Sequence, residues 1–209
     1  MLFRGRRFLM TIAVIVMAGV LCSLGVWQWN RYVQRDALNA RIDAQLAEPP
    51  IELDGSPVDP KALDYRPVRV RGVYDPSQEV LLRNRSLEGV TGYHLLTPLH
   101  IAGSTATVLV DRGWIPLTRS SPADRVAYVA HGTVEIEGVA RASQSGLGGP
   151  ADPPFSAERP RLDAWFRVDI DHIQQQAGYP LLPIFIELQP QPGAERTLPY
   201  PSRTTNTGP

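Results

Sequence analysis

The sequence predicts a membrane-anchored α+β protein: an N-terminal transmembrane helix, then a β-rich, mostly antiparallel extracytoplasmic domain with a few short helices. Three observations predict it. An uncharged, largely apolar run of about 22 residues, Phe8 to Trp29, is long enough to cross a bilayer as a helix of roughly 33 Å. Downstream, apolar residues alternate with polar ones in short stretches, the period of half-buried strands. Twenty prolines and 17 glycines punctuate those stretches, which suits a β-rich domain with many connections.

Arg4, Arg6 and Arg7 precede the apolar run, and the positive-inside rule keeps them cytoplasmic. Thr11, Cys22 and Ser23 interrupt the run, but their hydroxyl and thiol groups can bond within a helix. A cleaved signal peptide would have a shorter apolar core and a small-x-small site after it. Here the run flows into Trp27-Gln28-Trp29, and Leu21 stands where a lipoprotein signal needs a small residue before Cys22. The run therefore reads as an uncleaved anchor. Trp27, Trp29 and Tyr32 lie at the outer interface, and everything after about residue 32 lies outside the cytoplasm. The helical pattern continues through Leu38, Ile42 and Leu46 and ends at Pro49-Pro50.

The chain thus divides into residues 1–30, basic tip and transmembrane helix; 31–50, juxtamembrane stalk; 51–190, β-rich domain; and 191–209, an extended C-terminal segment. Residues 51–64 read as a loop. Val68 and Val70 alternate with Arg69 and Arg71 in a first strand that stops at Gly72. Glu79–Leu82 is a second strand, and Tyr93–Ile101 a third, broken by Pro98. Thr105–Val110 is nearly all apolar and β-forming, the pattern of a central strand covered on both faces. Thr133–Val139 alternates again. Residues 143–160, rich in Gly, Ser and Pro, read as a flexible excursion. Trp165–Val168 is a short strand. Asp169 caps a helix that Gly178 stops. Ile184, Ile186 and Leu188 mark the last strand. Sequential antiparallel pairing is the expected default.

Several functions are excluded by composition. The 21 basic and 21 acidic residues cancel, leaving no electrostatic footprint for nucleic acid. Cys22 is the sole cysteine, so no intramolecular disulfide or cysteine-based metal site can form. The sequence holds no Gly-x-Ser-x-Gly elbow, His-Glu-x-x-His pair or phosphate loop. Gly146-Leu147-Gly148-Gly149 has only a superficial likeness to a nucleotide loop, lacking a strand before it and a helix after it. The chain therefore reads as a non-enzyme without a resident metal.

A few residues stand out as candidates. His94 and His100 would share a face of an unbroken strand, but no third metal ligand is placed beside them. His131 falls in a turn and His172 on the short helix, both read as surface residues. In Asp111-Arg112-Gly113-Trp114, Arg112 beside Trp114 could bind a propionate or a partner carboxylate. The competing reading is an ion pair and a tight turn, with Gly113 at positive φ and Trp114 packed on the sheet. Arg66 faces a partner or pairs across the sheet with Glu79 or Asp75. Gln28, Arg31 and Arg35 recur three and four apart, so they share one helix face just beyond Trp27. That face is either a snorkelling basic rim or a partner-facing stripe.

Five stretches resemble the surfeit locus protein 1 family. Leu24-Gly25-Val26-Trp27-Gln28-Trp29-Asn30-Arg31 is similar to the signature ending its first transmembrane helix. Asp64-Tyr65-Arg66-Pro67-Val68-Arg69-Val70-Arg71-Gly72 resembles its first strand. Gly92-Tyr93-His94-Leu95-Leu96-Thr97-Pro98-Leu99 and Val108-Leu109-Val110-Asp111-Arg112-Gly113-Trp114-Ile115-Pro116 resemble its central pair. Pro183-Ile184-Phe185-Ile186-Glu187 resembles its last strand.

The resemblance implies an assembly factor for cytochrome c oxidase in a bacterial inner membrane or the mitochondrial inner membrane, and the short N-terminus without a transit-like presequence favours the bacterial one. It would assist maturation of the catalytic subunit or insertion of haem a, held transiently, with the catalytic subunit and haem a synthase as partners. The family normally has a second transmembrane helix, entered through a segment bearing a histidine, and this sequence stops at Pro209, about where that segment would begin. The haem-associated histidine therefore has no counterpart here. A membrane-tethered periplasmic scaffold for another complex would present the same physical pattern. An anchored hydrolase is opposed by the missing nucleophile and metal motifs.

Overall fold

The computed structural model describes residues 2–146, 152–190 and 197–201, with side chains described from residue 10 onward apart from Thr11. The loop-like Leu147-Gly148-Gly149, the centre of the 143–160 excursion, and most of the 191–209 segment lie outside the described residues, as do the side chains of Arg4, Arg6 and Arg7.

The chain forms two units, a long N-terminal helix and a β-rich domain. Helix α1 (Leu2–Leu46) runs unbroken for 45 residues, about 68 Å at the usual rise. Its stretch from Ile12 onward is long and apolar enough to cross a membrane, which is compatible with an anchor. Ser23 Oγ donates to the Gly19 carbonyl at 2.9 Å, so this hydroxyl is satisfied within the helix. The helix ends before Pro49-Pro50.

The domain's strands are β1 (Ile51–Glu52), β2 (Arg66–Tyr74), β3 (Val80–Leu87), β4 (Val90–Ile101), β5 (Thr107–Pro116), β6 (Thr133–Ala142), β7 (Ala164–Trp165) and β8 (Leu181–Leu188). Short helices are α2 (Pro60–Leu63), α3 (Pro122–Arg125) and α4 (Ile170–Ala177). Strand order is β1-β2-β6-β8-β5-β4-β3-β7, and β4 pairs a second time with β2. The ring β2-β6-β8-β5-β4 therefore closes into a five-stranded barrel. Its pairings are antiparallel except β5 with β8. Closure removes the strand edges that an open sheet would leave to aggregate.

Each barrel strand alternates, and its inward residues make one core: Val68 and Val70, Leu99 and Ile101, Val108 and Val110, Ile136 and Ala140, Ile184 and Ile186. Outward residues of β3, β4, β5 and β8 form a second core with Trp165, Ile170 and Ile173, where α4 covers the sheet. Val108, Leu109 and Val110 are all fully buried, so β5 is covered on both faces as expected. Asp169 accepts from the His172 amide, and Gly178, left-handed at φ 77°, ends α4 as its position predicts.

Several expectations are corrected. Pro98 does not break β4. Its carbonyl accepts from Asp75 N at 2.8 Å, so its donor-less nitrogen lies on that same side, where β4 passes from pairing with β2 to pairing with β3. Residues 51–64 are not all loop, since β1 runs parallel to β2 and Asp59 caps α2. Asp111-Arg112-Gly113-Trp114 is not a tight turn but the continuation of β5. Sequential antiparallel pairing holds for β3, β4 and β5 but not for β2, β6 and β8, because closing the ring sets β2 beside β6 and β8 between β6 and β5. His172 is not a free surface residue: its ring lies 4.6 Å from Phe155 and 4.9 Å from Trp165.

Candidate functional site

On α1, helical geometry aligns the sequence candidates. Gln28, Arg31 and Arg35 share a face, and all three are exposed together with Trp27. The Arg31 guanidinium carbon sits 5.6 Å from the Trp27 ring centre, a cation–π contact that folds the arginine back along the helix. Trp29 and Tyr32 make a second ring contact at 6.3 Å. Polar and aromatic groups are thus concentrated in two turns, immediately after the apolar stretch.

In the domain, the remaining candidates have different surroundings. Arg112 projects from β5 at the end of the barrel where β2 parts from β4. Its guanidinium donates to the Tyr128 carbonyl, lies 3.7 Å from Glu79 Oε2, and covers the Tyr74 ring at 4.9 Å. Glu79 also accepts from Thr97 Oγ1 at 2.9 Å, while Arg125 lies 3.9 Å away and donates to Asp163 at 2.7 Å. The Glu79, Arg112 and Arg125 side chains are only 6%, 10% and 9% exposed. Burial raises the Glu79 carboxyl above its ordinary pKa, against the opposing pull of Thr97 and the two guanidinium groups. The ion pair expected for Arg112 exists, and its partner is Glu79.

Trp114, two residues on, belongs to a separate arrangement. Its indole stacks on Tyr200 with ring centres 6.2 Å apart and planes 12° apart. The two residues also exchange backbone hydrogen bonds of 2.8 and 2.9 Å. Gly113, at φ 113°, permits this approach, because a Cβ there would stand 2.1 Å from the Tyr200 carbonyl oxygen. On the neighbouring strand, His94 Nδ1 pairs with Asp111 Oδ2 at 2.8 Å, and Asp111 Oδ1 accepts from Gly113 N at 2.9 Å.

Arg66 reaches neither Glu79 nor Asp75. It begins β2 at the far end from the β2–β4 contact, and pairs with Glu48 at 3.1 Å and the Pro49 carbonyl at 3.5 Å. His94 and His100 do not converge either: His100 Nδ1 bonds Thr107 Oγ1 at 2.8 Å. Among the described residues no group of three His, Cys, Asp or Glu side chains is placed to hold a metal ion.

Sequence reasoning missed two parts of this picture. The polar, proline-bearing sequence around Tyr200 predicts only an extended tail. Arg141 was not singled out, yet it joins Asp64 (3.2 Å), the Tyr65 hydroxyl (3.1 Å) and Glu187 (3.0 Å), which binds two of the quoted motif stretches to one guanidinium. The signal available was the density of charged residues in those motifs beside apolar strands.

A model of the SURF1 family matches residues 15–208. Surfeit locus protein 1 of Rattus norvegicus is 29% identical over 180 residues, covering 79% of this chain and 56% of that protein. The Homo sapiens protein of the same name is 29% identical, covering 79% and 58%. A SURF1-like protein of Monosiga brevicollis is 28% identical, covering 84% and 68%. The chain spans little more than half the length of the rat and human relatives. With the match running from within the long apolar helix through the last described strand, the chain belongs to the SURF1 family.

Proposed function

We propose that this protein is a non-enzymatic, membrane-anchored assembly factor for cytochrome c oxidase, assisting maturation of the catalytic subunit or insertion of haem a. The observation that carries this reading is the SURF1-family match, which begins inside the apolar helix and spans the barrel. The helix sits in a bacterial inner membrane with its basic tip cytoplasmic and the barrel outside, in keeping with Arg4, Arg6 and Arg7 before the apolar run. Haem a is cargo here, passed on rather than kept. The catalytic subunit and haem a synthase are the partners, reached through Trp27, Gln28, Arg31 and Arg35. Arg66, Arg112 and Trp114 hold the domain in shape for those contacts.

The stripe provides the test. Anchoring needs apolar length, which Phe8 to Val26 nearly supplies, and Gln28 and Arg31 add little to it. At the depth where partner helices emerge, polar groups can hydrogen-bond across helices for about 1 kcal/mol each. Gln28→Ala with Arg31→Ala should leave the protein membrane-bound and abundant while oxidase haem a absorbance falls in a complemented deletion strain. Normal oxidase spectra in that strain would return the stripe to a snorkelling rim.

A further inference from the structure

The β3–β4 hairpin runs on past the barrel. The last pair between β4 and β5 is Gly92 with Pro116, whereas β3 and β4 stay paired as far as Leu87 and Val90. Glu88 and Gly89 close the hairpin, both at positive φ (51° and 82°), in a two-residue turn that suits the twist of a ribbon. Leu87 and Val90 are cross-strand partners, and Arg85 lies two residues before Leu87, so the three share one face of the ribbon. Val90 is 55% exposed. Leu117, 47% exposed, follows Pro116 and so comes level with Thr91 at the root of the ribbon. Arg83 and Arg119 are exposed near these apolar side chains, and Glu88 is the ribbon's one carboxylate. A bulge at Asn84 (φ 58°) interrupts β3 between Leu82 and Arg85. A bulge and arginines on an outer strand oppose the addition of another strand there, so backbone pairing with a second polypeptide is disfavoured.

We infer that the tip of the β3–β4 hairpin docks on an anionic lipid surface, with Val90, Leu87 and Leu117 at the boundary of headgroups and acyl chains and Arg83, Arg85 and Arg119 on the lipid phosphates. Apolar side chains flanked by arginines suit that boundary, where apolar burial and attraction to anionic lipid act together. The chain also keeps lipid within reach. The polar part of α1, Asn30 to Leu46, is about 25 Å long at the usual rise, so the apolar stretch tethers the domain close to a bilayer. Docking would hold the barrel in one orientation on the membrane instead of leaving it to swing on its stalk. The inference rests on the membrane-anchored reading of α1, and its test separates the two.

The test uses the full chain reconstituted into vesicles containing phosphatidylglycerol. Cys22→Ser removes the native thiol, and Val90→Cys or, as a control at the other end of β4, Ala102→Cys accepts an environment-sensitive fluorophore. Spin-labelled lipids should quench the probe at Val90 and leave the probe at Ala102 bright. An arginine beside an anionic leaflet shifts such an equilibrium about fivefold, so Arg85→Gln with Arg119→Gln should lower the docked-to-free ratio roughly 30-fold. High salt should release the probe without any substitution in the patch, because screening shortens the reach of the charges. Equal quenching of the two probes would overturn the inference. So would quenching at Val90 that persists unchanged in phosphatidylcholine vesicles, in high salt and in the double variant. A probe at Val90 shielded in detergent, in a chain that sizes as a dimer, would overturn it in favour of contact between copies. Flotation of the vesicles keeps the two readings apart: a chain that floats with an unquenched probe refutes the docking alone, and a chain that does not float refutes the anchor and the docking together.

Discussion

Replacing Arg112 by methionine separates a structural arginine from one that meets a partner. Methionine keeps the unbranched stem and removes the guanidinium, so the packing on Tyr74 changes little while the polar contacts to the Tyr128 carbonyl and Glu79 vanish. Glu79 then retains Thr97 and the more distant Arg125, 3.9 Å away. Breaking a buried pair from one side typically costs about 3–5 kcal/mol, because the survivor stays buried without its counter-charge. The remaining Arg125 puts the expected loss at the lower end, about 3 kcal/mol. For a domain of this size each kcal/mol moves the midpoint by about 2–4 °C, so the barrel should melt roughly 6–12 °C lower.

The assay is near-ultraviolet circular dichroism on the purified full chain, read against the parent. Glu79→Gln in the same background should restore part of the loss, with a coupling of about 1–3 kcal/mol in a double-mutant cycle. A midpoint unchanged within about 2 °C, combined with lost oxidase activity in the complemented host, would refute the structural assignment. It would return Arg112 to the role of a contact residue.

Three further outcomes follow from the same geometry. Val110→Asp places a carboxylate among the inward residues of the barrel and should cost on the order of 3 kcal/mol or more, visible as loss of cooperative melting; a parent-like melt would contradict closure around β5. Gly92→Ala sets a Cβ 2.2 Å from the Ile115 carbonyl oxygen and 2.4 Å from Trp114 Nε1, so denaturant titration should show a loss of about 1–3 kcal/mol; an unchanged midpoint would mean the indole does not lie there. Folding raises the Glu79 pKa above its ordinary 4.5, so the fold favours the protonated acid. Its contribution is full below 4.5 and lost as pH rises through the folded value. The stability of the parent relative to Glu79→Gln should therefore decline with rising pH above about 4.5, and a pH-independent difference would contradict that sign.

What was legible in the sequence follows the range of the physics involved. Period and length are local, so the long apolar helix, the alternating strands and the capped α4 were all readable. Thr105–Val110 announced a strand covered on both faces because no polar residue interrupts Val108–Val110. The errors arise where a local signal has a distant solution. Asp111-Arg112-Gly113 carries turn residues, yet Asp111 satisfies the Gly113 amide from its side chain while β4 pairs alongside, so the strand continues. Pro98 would end a strand with two continuous neighbours, but here the neighbour changes beside it. Strand order depends on ring closure, which no segment records alone. The stacking of Tyr200 on Trp114 joins a polar tail to a strand far back in the chain, and neither stretch signals the other.

The distribution of charge within the barrel bears on where recognition is placed. Arg112 and Arg125 converge on Glu79, Arg141 joins Asp64 and Glu187, and Arg69 is ringed by Glu52, Glu135 and Glu137. An arginine held by carboxylates of its own chain must give up those bonds before it can meet a partner's, and for the buried pairs that exchange is costly. The stripe on α1 is arranged differently. Gln28, Arg31 and Arg35 are exposed, and the contact found for Arg31 is to the Trp27 ring, which leaves the donors of its guanidinium able to turn to an incoming carboxylate or carbonyl. A docking group of this kind loses little on binding, because the cation–π contact can persist while new hydrogen bonds form. This difference in prior commitment, rather than the number of arginines on either unit, is why the proposed oxidase contacts are assigned to the helix, with the barrel's ionic groups assigned to holding its shape.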